Sequence, residues 1–143
     1  MRYEKDDGLQ RYGPLELKSG TDLLAFREIQ YSPRDALEGS YNTVCHVKVI
    51  SGEFSGLGEW ECDWKALLRF GEELEELYHF QRNEVEFRDI EWGNWLKFAL
   101  RRTGHIEISG FLQYIDHSLK FAFQTDQTML KPFLESMRQL YHP

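Results

Sequence analysis

Between Gly104 and Tyr141 the hydrophobic period of the chain changes once, from two residues to about 3.6, and this fixes the order of its last elements. His105 to Tyr114 alternates apolar and polar side chains, Asp116-His117-Ser118 interrupts, and Leu119, Phe121 and Phe123 resume the alternation. That pattern is a half-buried hairpin. At Thr125-Asp126-Gln127-Thr128 it gives way to a stripe of Met129, Leu130, Phe133, Leu134, Met137, Leu140 and Tyr141, which is the spacing of an amphipathic helix. Pro132 falls inside the stripe. A proline lacks the amide that an interior turn needs, so either Asp126 caps a turn rebuilt around it or the regular helix starts near Lys131.

The same reading extends toward the N-terminus. Pro14 to Ser19 and Leu23 to Gln30 read as strands separated by Gly20-Thr21-Asp22, and the stretch from Ser32 to Ser40 reads as the longest loop. Asn42 to Ile50 alternates Cys45, Val47 and Val49 against Val44, His46 and Lys48. Ser51 to Gly56 reads as a turn with two glycines able to take positive φ, Gly52 to Gly58 as a bulged turn, followed by a strand from Glu59 to Cys62 with Trp60 and Cys62 opposite Glu59 and Glu61. Asp63 is placed to cap a helix that carries Leu67, Phe70, Leu74, Leu77 and Tyr78 on one face. Val85, Phe87 and Asp89 share a strand face, Trp92-Gly93-Asn94 turns the chain, and Leu96, Phe98 and Leu100 form the next strand. Short turns leave no room for parallel crossovers. The expected fold is therefore α+β: a largely antiparallel, curved sheet of about seven to eight strands with two packed amphipathic helices.

Length bounds the organisation. A chain of 143 residues is expected to form a single domain, 1–143, with residues 1–12 as a flexible arm. It can bury about 70% of its unfolded surface and needs no metal or disulfide to fold. No apolar run approaches the roughly 20 residues that cross a bilayer, and Met1 to Gly8 lacks the apolar region of a secretory signal, so the expectation is a cytoplasmic protein without a membrane partner. Cys45 and Cys62 lie on predicted strands that neighbour each other if the chain forms a hairpin, where a bridge is possible; the expected compartment favours free thiols. The formal charge is −7, from 24 acidic against 17 basic residues, which argues against nucleic acid as a direct ligand. The same excess acts as solubilising charge or as a field that steers a basic protein partner.

Candidate chemistry is sparse. His105, Glu107 and Ser109 share a strand face, but neighbours two apart on a strand are separated by roughly 6.6 Å, too far for proton transfer. Gly52 to Gly58 holds three glycines, yet Glu59 and Trp60 follow where a phosphate loop needs a helix start and a lysine. His46, His79, His105, His117 and His142 show no metal-ligand spacing, and no cofactor is expected. Two features are interface candidates. Glu72, Glu73, Glu75 and Glu76 form an acidic helix ridge, partly offset by Arg69. Trp92 and Trp95 flank Gly93-Asn94, with Trp95 opposite Leu96 and Phe98, and tryptophan anchors many interfaces. The rival readings are an enclosed aromatic pocket for a small ligand, or an enzyme assembled in space from His46, His105 or Asp116.

The succession Val47-x-Val49, Gly52-x-Phe54-Ser55-Gly56, the helix ending Glu72-Glu73-Leu74-Glu75-Glu76-Leu77-Tyr78, then Gly104-His105-Ile106 and Gly110, is similar to the WapI-type immunity protein family. Leu119-x-Phe121-x-Phe123 followed by Asp126-Gln127-Thr128-x-Leu130 extends the resemblance, which spans about residues 44 to 141. The resemblance implies a small cytoplasmic protein that neutralises the toxin domain of a polymorphic toxin by stoichiometric binding, without catalytic residues and with a basic protein as partner. The matching positions are turn glycines, a helix cap and core residues, so it transfers no binding residue. The first forty residues and Trp92 lie outside it, which is where partner choice is expected.

Overall fold

A computed structural model of the chain describes residues 8–33 and 42–141. Much of the Ser32–Ser40 loop, the start of the proposed arm and His142 lie outside the described residues. Five strands form the first sheet: β1 (Gln10–Tyr12), β2 (Leu15–Ser19), β3 (Asp22–Tyr31), β4 (Thr43–Ser51) and β5 (Phe54–Cys62). Both β1 and β2 pair with β3, then β4 and β5 follow in order. After α1 (Trp64–Tyr78) a second sheet runs β6 (Glu84–Arg88), β7 (Trp95–Leu100), β8 (Ile106–Tyr114) and β9 (His117–Thr125), and α2 (Gln127–Arg138) closes the described chain. Every pairing is antiparallel.

The α+β class, the antiparallel pairing and the two amphipathic helices agree with the sequence pattern. The single curved sheet does not: the strands divide into two meanders, each followed by a helix. The reason lies at Asp63. Its carboxylate accepts the Lys65 amide at 3.0 Å, and the buried Asn42 side chain accepts the Trp64 amide at 2.7 Å. With two of its orphan amides satisfied, α1 starts immediately after β5 and separates that strand from β6 in sequence. At the second handover Asp126 accepts the Met129 amide at 3.0 Å, and α2 carries Pro132 in its interior.

One aromatic cluster fills the space between the layers. Phe26 on β3 meets Trp60, Phe70, Phe87 and Phe133 at ring separations of 6.1–6.4 Å, so both sheets and both helices touch one side chain. Phe70 stacks on Phe87 at 4.6 Å. Such contacts add about 0.5–1.5 kcal/mol each beyond the area they bury.

The sheets join where β5 crosses the β8–β9 hairpin. A Cβ on Gly56 would meet Leu119 at 2.8 Å, and one on Gly58 would meet Leu112 at 3.3 Å. These glycines serve close approach, and the strand therefore begins at Phe54, well before Glu59. The turn itself is tight and has no bulge: Ser51 pairs with Phe54, and Gly52 takes φ +62 in the first of its two central positions. Asn94 completes the seam. It is 1% exposed, donates to the Glu59 carbonyl at 2.6 Å and to Asp89 at 2.8 Å, and accepts the Gln113 amide at 2.7 Å. Removing its side chain takes a partner from the part-buried Glu59 carbonyl and Gln113 amide, and one donor of several from Asp89. Asn94→Ala is expected to lower unfolding stability by about 2–4 kcal/mol in urea titrations with an unchanged m-value. A loss under about 1 kcal/mol would show that the seam is held by apolar packing alone.

Candidate functional site

Two surfaces compete for the role of site. The first is the acidic ridge on α1. Glu72 is exposed, but its neighbours are committed within the chain. Glu75 holds Arg138 at 2.6 Å and lies 3.8 Å from His79. Arg82 lies 2.9 Å from Glu76 and 4.0 Å from Glu73. Two guanidinium groups thus offset half of the ridge's charge. The Glu75–Arg138 pair also ties α1 to α2, beside Gly71, whose bare Cα leaves room for Met137. Trp92 is 44% exposed and Trp95 is half-buried on the outer face of β7. Trp92 meets Glu61, just before α1, so roughly 16 Å of helix rise separates it from the middle of the ridge. The ridge and the Trp92 turn are separate surfaces.

The second surface is the outer face of the first sheet, and the sequence did not disclose it. A one-residue bulge in β3, between Arg27 and Gln30, places Glu28 at φ +53. A glutamate in this left-handed region is unusual, and bulges commonly re-aim a side chain. Here the carboxylate turns to His46 on β4, 3.3 Å from Nδ1. Glu59, opposite His46 on β5, approaches Nε2 at 4.0 Å. With Val44, Gln30 and Glu61 these residues line an open groove of about 250 Å³. Burial first, and then the carboxylates of Glu91, Asp89 and Glu59, push the Glu61 carboxyl above its ordinary value, while a hydrogen bond from the Trp92 side chain opposes the rise.

The Asp89 turn forms one end of this face. The Asp89 carboxylate accepts the amides of Glu91 at 2.6 Å, Trp92 at 2.8 Å and Asn94 at 3.1 Å. The Ile90 amide donates to the Glu61 carbonyl at 2.9 Å. Ile90 and Trp92 are thereby held exposed beside Glu61. At the other end Leu57 continues the face of Glu61 and Glu59 toward the β8–β9 tip. There Tyr114 is exposed, and Ile115 is 78% exposed at φ +55, a costly conformation for a β-branched residue.

Neither rival geometry assembles. His46 lies in the groove, whereas His105 and Asp116 sit beyond opposite ends of β8, roughly 30 Å of strand apart. Arg101 binds Glu107, the middle member of the His105–Glu107–Ser109 face. Among the described residues no group of three or more His, Cys, Asp and Glu side chains is placed to hold a metal ion. The core aromatics that a small-ligand pocket would use are packed on one another. No helix among the described residues is long and apolar enough to cross a membrane.

Both cysteines are buried and free. Cys45 pairs with Trp60 and Cys62 with Thr43, so the two sit diagonally, about 7–8 Å apart, outside disulfide reach. Burial raises both thiols, Cys62 to about 12 and Cys45 well above its ordinary value. Ellman's reagent at pH 8 is expected to leave both untouched in the native protein and to label both in urea. Since the unfolded thiols ionise first as pH rises, stability is expected to fall from about pH 9 upward. Rapid native labelling, or a flat alkaline profile, would contradict this burial.

No curated protein matches the chain by sequence. Among solved structures, "Crystal structures of trypanosoma bruciei MRP1/MRP2" resembles it with a TM-score of 0.51 and 11% identity, covering 94% of this chain and 82% of that one. That likeness concerns the fold alone. The model of the immunity protein WapI-like family matches residues 23–143, from the second residue of β3 through β4, β5, the second sheet and both helices, leaving out β1 and β2, and takes in Trp92 and the bulge at Glu28. The chain belongs to the immunity protein WapI-like family.

Proposed function

We propose that this chain is an immunity-type binding protein that neutralises a cognate toxin domain by stoichiometric protein–protein contact. It acts in the cytoplasm, without catalysis and without a cofactor. The observation that carries the reading is the family membership over residues 23–143. The charge of −7 supports a basic toxin domain as the partner, because complementary fields raise association rates.

The candidate residues then divide by role. Glu72, Glu73 and Glu76 act at a distance, as part of the field that guides encounter. Glu75 serves chiefly to hold Arg138. Trp92, exposed beside Glu61, anchors the bound state, and the half-buried Trp95 adds a second aromatic contact from the outer face of β7. An aromatic anchor on a rigid turn loses little entropy when it is buried.

Co-expression with the C-terminal toxin domain of a polymorphic toxin from the same genome is the direct test. Growth should recover, and the purified pair should elute as a 1:1 complex by light scattering. Glu72→Gln, Glu73→Gln and Glu76→Gln together should slow association about three- to tenfold at low salt and leave dissociation unchanged. Trp92→Ala should speed dissociation at least tenfold, the direction expected for a central anchor. Toxicity unrelieved by the wild-type chain would overturn the reading.

A further inference from the structure

We infer that the open outer face of the first sheet is the surface that grips the partner, with Glu28, Glu59 and Glu61 receiving Lys or Arg side chains of a basic segment. The inference rests on the proposed function only for the identity of that partner.

Charge accounting across the chain makes the distinction. Glu16, Glu73, Glu75, Glu76, Glu84, Glu86 and Glu107 each have a Lys or Arg of the same chain within 4.0 Å. Among the described residues no Lys or Arg ion-pairs with Glu28, Glu59 or Glu61, although Arg27 lies opposite His46 on the same face. Glu28 and Glu59 flank one imidazole, and Glu61 lines the same groove beside them. Arg27 and Lys48 lie on the same face without ion-pairing these three carboxylates, so the groove keeps an acidic centre that a basic segment can neutralise.

Apolar side chains make the face suited to a protein. Val44 lines the groove and is exposed, and Ile90 and Trp92 stand at one end, fixed by the Asp89 turn. Leu57 and the strained, exposed Ile115 stand toward the other. An acidic centre between apolar anchors matches a segment in which basic residues are flanked by hydrophobic ones. The raised Glu61 carboxyl is consistent with this: burial first, and then the carboxylates of Glu91, Asp89 and Glu59, oppose its ionisation in the free chain, and a partner's cation beside it would favour the charged form.

Calorimetry against the toxin domain tests the assignment with Glu28→Gln, Glu59→Gln and Glu61→Gln combined. The melting temperature should be unchanged or higher, since the substitutions remove like-charge repulsion. Affinity should fall at least fiftyfold, mainly through dissociation, with a shallower salt dependence. The Glu72/Glu73/Glu76 glutamine variant should lose no more than about tenfold, all in association. A groove variant that binds within threefold of wild type, while wild type binds, would overturn the inference and leave the functional reading intact. If wild type does not bind the toxin domain, the functional reading fails and a hexa-arginine peptide decides the face. Saturable amide shifts centred on Glu28, Val44, His46, Glu59 and Glu61, lost in the variant, sustain it; shifts absent or centred on α1 refute it.

Discussion

Two layers of sheet meet at a seam where one strand presents bare glycine backbone to leucine side chains of the other sheet, and the rest of the molecule is arranged around that contact. Gly56 and Gly58 let Leu119 and Leu112 approach the backbone of β5, and a methyl group at Gly56 would already collide at 2.8 Å. Asn94 bridges the same crossing, satisfying the Glu59 carbonyl, Asp89 and the Gln113 amide at once. Where such a group is shielded from water, leaving it unpaired costs more than the bond it makes contributes. The polar bridge therefore joins the two sheets at this crossing, and the aromatic cluster around Phe26 packs both sheets against both helices.

The seam also builds the face assigned to binding. Asp89, fixed by Asn94, gathers the amides of Glu91 and Trp92, and this presents Ile90 and Trp92 beside Glu61. The β3 bulge brings Glu28 to His46 from the other side of β4. Rigid placement matters for a protein that works by binding, because ordering entropy already spent in folding is not charged again at the interface. A left-handed Glu28 and a left-handed Ile115 are expensive in the free protein, and both lie on or beside this face.

How much of this was legible in the sequence follows from the range of each interaction. The β8–β9 hairpin and the α2 stripe were plain because their signals are local, and Asp63 and Asp126 announced both helix starts. The division into two sheets was hidden because pairing partners are set by tertiary contact. Gly56 and Gly58 carry turn chemistry and serve close approach instead, which displaced the predicted start of β5. The acidic run at Glu72–Glu76 stood out as composition, while the arginines that neutralise part of it, Arg82 and Arg138, lie farther along the chain. The groove was least legible: Glu28, His46 and Glu59 are dispersed over two turns, and a bulge gives almost no pattern in a single sequence. The alternation of His46 against Cys45 and Val47 did mark its side chain as outward, and that was the one available signal.

Hydrogen–deuterium exchange of the chain, alone and with one equivalent of the toxin domain, addresses the claim that the first sheet's outer face is the working surface. Slower exchange in the bound state is expected over residues 43–46, 57–62 and 89–93, with α1 and α2 little changed. Protection confined to the helices, with the sheet face exchanging as in the free chain, would contradict it.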